Sequence, residues 1–182
     1  MEPREGEFEF DFGSATFEKP DANGTVIPQG MKLVDFIVEE EERLILLEIK
    51  DPSRVPRSTD ARAIAAIESE RRDFVRQLEN KEWIHHELTP TARDTYTYLH
   101  VMERDKKPML YVVLLGVDRL PFDAMPLLPN FRDRLLGRLR METHQPWLKQ
   151  YVADCLVLTE NTWRKAFPGY SLARIPQTTD PV

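Results

Sequence analysis

Apolar and polar residues alternate strictly from Glu7 to Phe12, which predicts a half-buried strand with Phe8, Phe10 and Phe12 inward. Residues 1–6 before it read as a loose tail, and Ala15 to Glu18 extend the strand after a Gly13-Ser14 break. Asp21-Ala22-Asn23-Gly24 predicts a turn. Leu33 to Val38 and Arg43 to Lys50 are apolar runs too short for helices, separated by Glu39 to Glu42. Four glutamates cannot be buried, so the chain is expected to reverse there as a hairpin tip. The spacing then becomes helical: Ala61, Ile64, Ile67, Phe74 and Leu78 form one stripe of a helix over about 61–83, capped by Ser58, Thr59 or Asp60. Thr89-Pro90 opens a second helix to about Glu103. Met109 to Val117 is continuously apolar, as a strand covered on both faces would be. Asn130 caps a third helix with Phe131, Leu135 and Leu139 inward. A strand over Tyr151 to Leu158, a short helix about Trp163 and a loose tail over about 168–182 complete the chain. Two helices separate the hairpin from the next strand, so the sheet is expected to be mixed. The pattern predicts one α/β domain over residues 1–182, with a mixed central β-sheet flanked by helices.

Composition changes this picture little. The chain has 182 residues, 41% hydrophobic and 31% charged, enough for a core without staples. Its apolar runs fall well short of the ~20 residues of a membrane span. The start, Met-Glu-Pro-Arg-Glu-Gly, lacks the pattern of a signal peptide, which implies a cytoplasmic protein without a membrane partner. The single cysteine, Cys155, lies in an apolar run and reads as a small buried hydrophobe. The net charge of −6 argues against a large nucleic-acid footprint, but it is uneven. Residues 1–60 carry 15 acids against 7 bases, and the remainder is mildly basic.

The candidate chemistry lies in the hairpin. With Val38 set opposite Arg43, Asp35 falls opposite Leu46 and shares a face with Leu44, Leu46, Glu48 and Lys50. Glu48 is then a diagonal neighbour of Asp35, about 7–8 Å away between backbones. Any tip that leaves the sum of paired numbers odd keeps this face, and a slip of one residue destroys it. Two acids and an amine in an apolar hairpin read either as an ion pair on a wetted sheet or as a divalent-metal site. Carboxylate oxygens suit Mg2+ or Mn2+, and the ammonium beside them would orient water or stabilise charge on a phosphate.

Asp35, twelve intervening residues, and Glu48-Ile49-Lys50 resemble the signature of the PD-(D/E)XK nuclease superfamily, whose fold is restriction-endonuclease-like. The resemblance implies a metal-dependent nuclease in which Asp35, Glu48 and Lys50 are catalytic. Asp35, Glu48 and the Ile49 carbonyl would hold Mg2+ or Mn2+, and Lys50 would position the attacking water. Val34 stands where the motif name has proline. Many members add an acid from a helix before the first strand; no helix is evident there, and Glu18 or Asp21 is the candidate extra acid. The same acid-x-Lys pattern at Glu79 to Lys81 and Asp105 to Lys107 sits in helical and turn contexts, where the geometry fails.

Nucleic acid, DNA in preference to RNA, is the partner the resemblance implies. Arg54 and Arg57 leave the strand beside Lys50, and Arg71, Arg72 and Arg76 lie off the apolar stripe of the first helix, so these five are candidate phosphate contacts. The helix near 131–141 is the densest basic segment and a candidate surface for a homodimer or partner subunit. His85-His86-Glu87 lacks the i, i+4 spacing of a zinc pair. The alternative is a non-catalytic, nucleic-acid-binding or complex-forming subunit on the same fold.

Overall fold

The computed structural model describes residues 3–20, 22, 27–55, 60–121 and 123–175. Two runs rich in branched apolar side chains, β5 (Leu44–Lys50) and β6 (Met109–Leu115), lie side by side and parallel at its centre. Every residue of β6 is buried, as its unbroken apolar sequence predicts. β4 (Phe36–Glu39) pairs antiparallel with β5, and β3 (Thr16–Glu18) antiparallel with β4. β7 (Asp154–Thr159) runs parallel to β6, which gives a five-stranded mixed sheet in the order β3-β4-β5-β6-β7.

Parallel neighbours need long crossovers, and the helices supply them. α1 (Ala61–Glu79), a π-helical turn (Ile84–Leu88) and α2 (Thr89–Val101) join β5 to β6, and α3 (Leu128–Arg140) joins β6 to β7. These helices cover one face, where Phe74, Leu78, Trp83, Leu88, Leu99, Phe131 and Leu135 meet Ile37, Leu46, Tyr111 and Val113. The other face is covered mainly by a second, three-stranded antiparallel sheet of β1 (Arg4–Glu5), β2 (Phe8–Asp11) and β8 (Ser171–Arg174), with the short α4 (Glu160–Ala166). Phe8, Phe10 and Phe12 all point into that layer, against Phe36, Ile45, Leu47 and Trp163.

Both ends of the described chain depart from the expected loose tails. Arg4 and Glu5 pair with β2, and Ser171 to Arg174 pair with its other edge. The Arg174 side chain, 5% exposed, explains the order at the C-terminal side: it ends among buried acids rather than in water. Helix boundaries differ for local reasons. α1 ends at Glu79, where the Arg134 guanidinium bonds the Glu79 carbonyl at 2.8 Å and also the Leu78 carbonyl, satisfying the open C-terminus. Its inward stripe begins at Ile67, because Ala61 and Ile64 face solvent. α3 starts at Leu128 with Pro129 in its first turn, so Asn130 lies inside the helix instead of capping it. Cys155 is buried, and burial pushes its thiol up to about 12, consistent with a packing role. No helix among the described residues is long and apolar enough to cross a membrane.

Candidate active site

The hairpin closes two residues later than the expected pairing: Val38 lies opposite Ile45, Ile37 opposite Leu46 and Phe36 opposite Leu47. A shift of two keeps side-chain parity, so Asp35 still shares a face with Glu48 and Lys50. It also places Asp35 one step beyond the last pair, directly opposite Glu48 rather than diagonal to it. Ile49 donates its N–H to Asp35 Oδ2 at 2.6 Å, so the aspartate side chain takes the place of a ladder acceptor. Val34 has left the ladder, since its N–H bonds Thr95 Oγ1 on α2 at 3.0 Å. In an antiparallel pair the N–H and C=O of one residue point to the same side. The Ile49 carbonyl therefore faces the Asp35 side without Val34 as its donor. Lys50, next along, turns its carbonyl to β6 and accepts from Gly116 N–H at 2.8 Å.

Glu48 is held out of water, and Asp35 is half-buried beside it. Burial, then the charge of Glu48, pushes the Asp35 carboxyl up to about 8, against the pull of the Ile49 N–H. Glu48 is 5% exposed, and burial raises its pKa despite the ammonium of Lys50. Burial works against the charge of Lys50, but Glu48 and Glu87 outweigh it and hold the amine above the usual lysine range. Lys50 Nζ lies 2.9 Å from Glu48 Oε1 and also pairs with Glu87. The lysine is thus a fixed cation, unsuited to taking up a proton. Among the described residues no group of three or more His, Cys, Asp or Glu side chains is placed to hold a metal ion. The oxygens on this side of the hairpin are those of the two carboxylates and the Ile49 carbonyl.

Ile49, Lys50 and Glu87 line a cleft of about 960 Å³ between α1, the β5 end and the β1–β2 turn, and Asp35 and Glu48 lie next to its Ile49 and Lys50 wall. Glu87 was not legible as a site residue. It projects from the π-turn, and its Oε2 accepts the Trp83 indole N–H at 3.0 Å. An inserted π-turn is a recurrent way of redirecting one helical side chain toward a site. Glu5, on β1, also lines the cleft and raises the pKa of both Asp35 and Glu48 by its charge.

Behind the site, Arg174 bonds Glu7 Oε2 at 3.1 Å, Asp51 Oδ2 at 2.6 Å, Ser53 Oγ at 3.2 Å and, through Nε, Glu160 Oε1 at 3.0 Å. Glu7, 1% exposed, also accepts the Val55 N–H at 2.7 Å and pairs with Arg119 at 3.1 Å. This network fixes the loop that leaves Lys50. Gly116 makes room for it: a Cβ there would lie 2.2 Å from Asp51 Oδ1 and 2.8 Å from Arg174 Nη2. Gly116→Ala is expected to cost about 1–3 kcal/mol, as overpacking does; urea unfolding of the variant checks it, and an unchanged midpoint would contradict the crowding.

Other expected residues lie elsewhere. Glu18 is not brought to the site; Arg104 holds both its oxygens at 2.9 Å. Asp21 and Arg57 lie outside the described residues. Arg54 lines the cleft but is bound to Glu70 at 2.8 Å, and Arg71 braces the loop through the Pro52 and Arg54 carbonyls. Arg72 is exposed, and Arg76 pairs with Asp73 at 3.2 Å. On α3, Arg132 binds Asp154 and the Cys155 carbonyl, Arg134 caps α1, Arg138 holds the Glu142 carbonyl, and Arg140 is exposed. No family model matches the chain, and neither a curated protein nor a solved structure does.

Proposed function

We propose that the protein is a divalent-metal-dependent nuclease of restriction-endonuclease-like fold, hydrolysing phosphodiester bonds in DNA in preference to RNA. The observation that carries this reading is the half-buried Asp35 and the buried Glu48 on one face of the hairpin, with the Ile49 N–H bonded to Asp35 and the neighbouring Lys50 lining the cleft. Two like charges out of water raise each other's pKa and favour a bound cation. The donors are all hard oxygens, and Mg2+ is commonly held by one or two carboxylates with waters and substrate phosphate, so the pair suffices. A bound Mg2+ or Mn2+ would lower the pKa of a coordinated water and neutralise the scissile phosphate. Lys50, kept charged by Glu48 and Glu87, would orient that water or stabilise charge on the phosphate. The order of strands and crossover helices, two antiparallel pairs followed by two parallel ones, agrees with the resemblance read from Asp35 and Glu48-Ile49-Lys50.

The test is linkage between metal and protons. Asp35 is raised from its ordinary 3.8 to about 8, so the folded protein retains a proton that the unfolded chain has released across this window. Metal-free stability is therefore contributed fully below the lower value and lost as pH rises toward 8. A cation displaces that proton, so Mn2+ should raise the melting temperature clearly at pH 7.5 and little at pH 5. At a hundredfold excess over Kd the gain is about 2.7 kcal/mol. An Mn2+ shift that is absent, or equal at both values, would sink the reading.

A second reading is favoured by the charges around the cleft. Glu5, Glu7, Asp51, Glu70, Asp73 and Glu87 outnumber Lys50 and Arg54 there, and most candidate phosphate-binding arginines have partners within the chain. Affinity for a phosphate backbone comes mainly from free cations. A complex-forming subunit that keeps the fold without cleaving would fit that surface. Incubating the chain with single- and double-stranded DNA and RNA in Mn2+ separates the two: cleavage abolished by EDTA favours the enzyme.

A further inference from the structure

The Lys50 ammonium stands between two carboxylates of unequal character. Glu48, on β5, has a side chain only 6% exposed; Glu87, on the π-turn, is 37% exposed. A cation arriving at Asp35 and Glu48 competes for the Glu48 charge with the ammonium, which lies 2.9 Å from Glu48 Oε1. Glu87 is built to receive it. Its second oxygen is held by the Trp83 indole, and Trp83 is wedged between Phe74 at 5.8 Å and Phe131 at 5.4 Å. The turn itself is tied down at two carbonyls, His86 by the Lys32 ammonium at 3.3 Å and Leu88 by the buried Tyr111 hydroxyl at 3.0 Å. The glutamate is thus a rigid counter-charge on one side of a lysine whose other partner is the metal position.

We propose that Glu87 is a positioning residue of this site: it retains the Lys50 ammonium when a divalent cation claims Glu48, so the lysine stays at the cleft without blocking the metal. This inference rests on the metal-dependent reading above. It deepens that reading by giving the site an anchor residue on the crossover between β5 and β6, at a position the Asp35 and Glu48-Ile49-Lys50 pattern does not include.

A double-mutant cycle read by calorimetric titration of Mn2+ into the full chain tests it. Glu87→Gln keeps an oxygen for the Trp83 N–H but weakens the hold on Lys50, leaving the ammonium on Glu48 in competition with the metal. Mn2+ affinity is expected to fall about tenfold in Glu87→Gln and to change less than about twofold when the same change is made in Lys50→Ala, a coupling typical of residues in one ion-pair network. Equal losses in both backgrounds would reduce Glu87 to a plain negative charge and overturn the proposal, as would an unchanged affinity in Glu87→Gln. If the unmodified chain takes up no Mn2+, the metal-dependent reading falls and this inference with it. Uptake by the unmodified chain without coupling removes the inference alone.

Discussion

Cleavage of DNA in Mg2+ is expected to fall by at least about 10²–10³-fold in each of Asp35→Asn, Glu48→Gln and Lys50→Ala, the range lost when one preorganised charge-stabilising group is removed. Asp35→Asn is the most informative of the three. An asparagine oxygen can still accept the Ile49 N–H that now reaches Asp35 Oδ2 at 2.6 Å, so the local backbone keeps its bond. The folded chain no longer has to hold a proton at this position, so above pH 5 the metal-free variant should melt no lower than the parent. Lost activity with unreduced stability would identify a functional charge, because a structural one costs stability when removed. Lys50→Ala differs: it strips the nearest cation from a buried Glu48, and some fall in melting temperature is expected with the fall in rate. Single-turnover assays beside thermal melts separate the two effects. Full activity in Asp35→Asn would end the nuclease proposal.

Arg174→Met is expected to cost about 3–5 kcal/mol of folding stability, the usual price of removing one partner from a buried ion network. Its side chain is 5% exposed and answers Glu7, Asp51 and Glu160, with Glu7 itself 1% exposed. Methionine fills much of the space above the Phe8 ring, where the guanidinium now sits 4.3 Å from the centroid, so the loss measured would be chiefly electrostatic. Arg119, the other cation on Glu7, is 42% exposed, and Arg119→Ala should cost far less, within about 1 kcal/mol. Chemical denaturation of both variants gives the comparison. Similar small losses would mean that the network contributes order without stability.

What could be read from the chain follows from the range of each interaction. Alternation put Asp35, Glu48 and Lys50 on one face, and that conclusion survived a hairpin two residues off its expected register because parity repeats every two residues. The seven apolar residues of β6 announced a strand covered on both sides. β8 was not legible: four residues carry little periodicity, and the partners that order Arg174 lie 167 residues away at Glu7 and 123 away at Asp51. Glu18 looked available because charge can be counted along a chain while its partner cannot; Arg104 is 86 residues further on. The arginines of α3 misled in the same way, since Arg134 caps α1 and Arg132 holds β7. For Glu87 one signal was present. Trp83 and Glu87 are four apart, the spacing at which helical side chains meet.

The π-turn at Ile84–Leu88 carries one residue more than an α-helical path would need. Removing a single codon between Ile84 and Leu88 would let the segment relax to ordinary winding, in which each residue advances roughly 100° about the axis. The acidic group would then swing round the helix and leave its lysine, while the sheet beneath kept its composition. A three-nucleotide deletion would in this way part Glu87 from Lys50 and spare the fold.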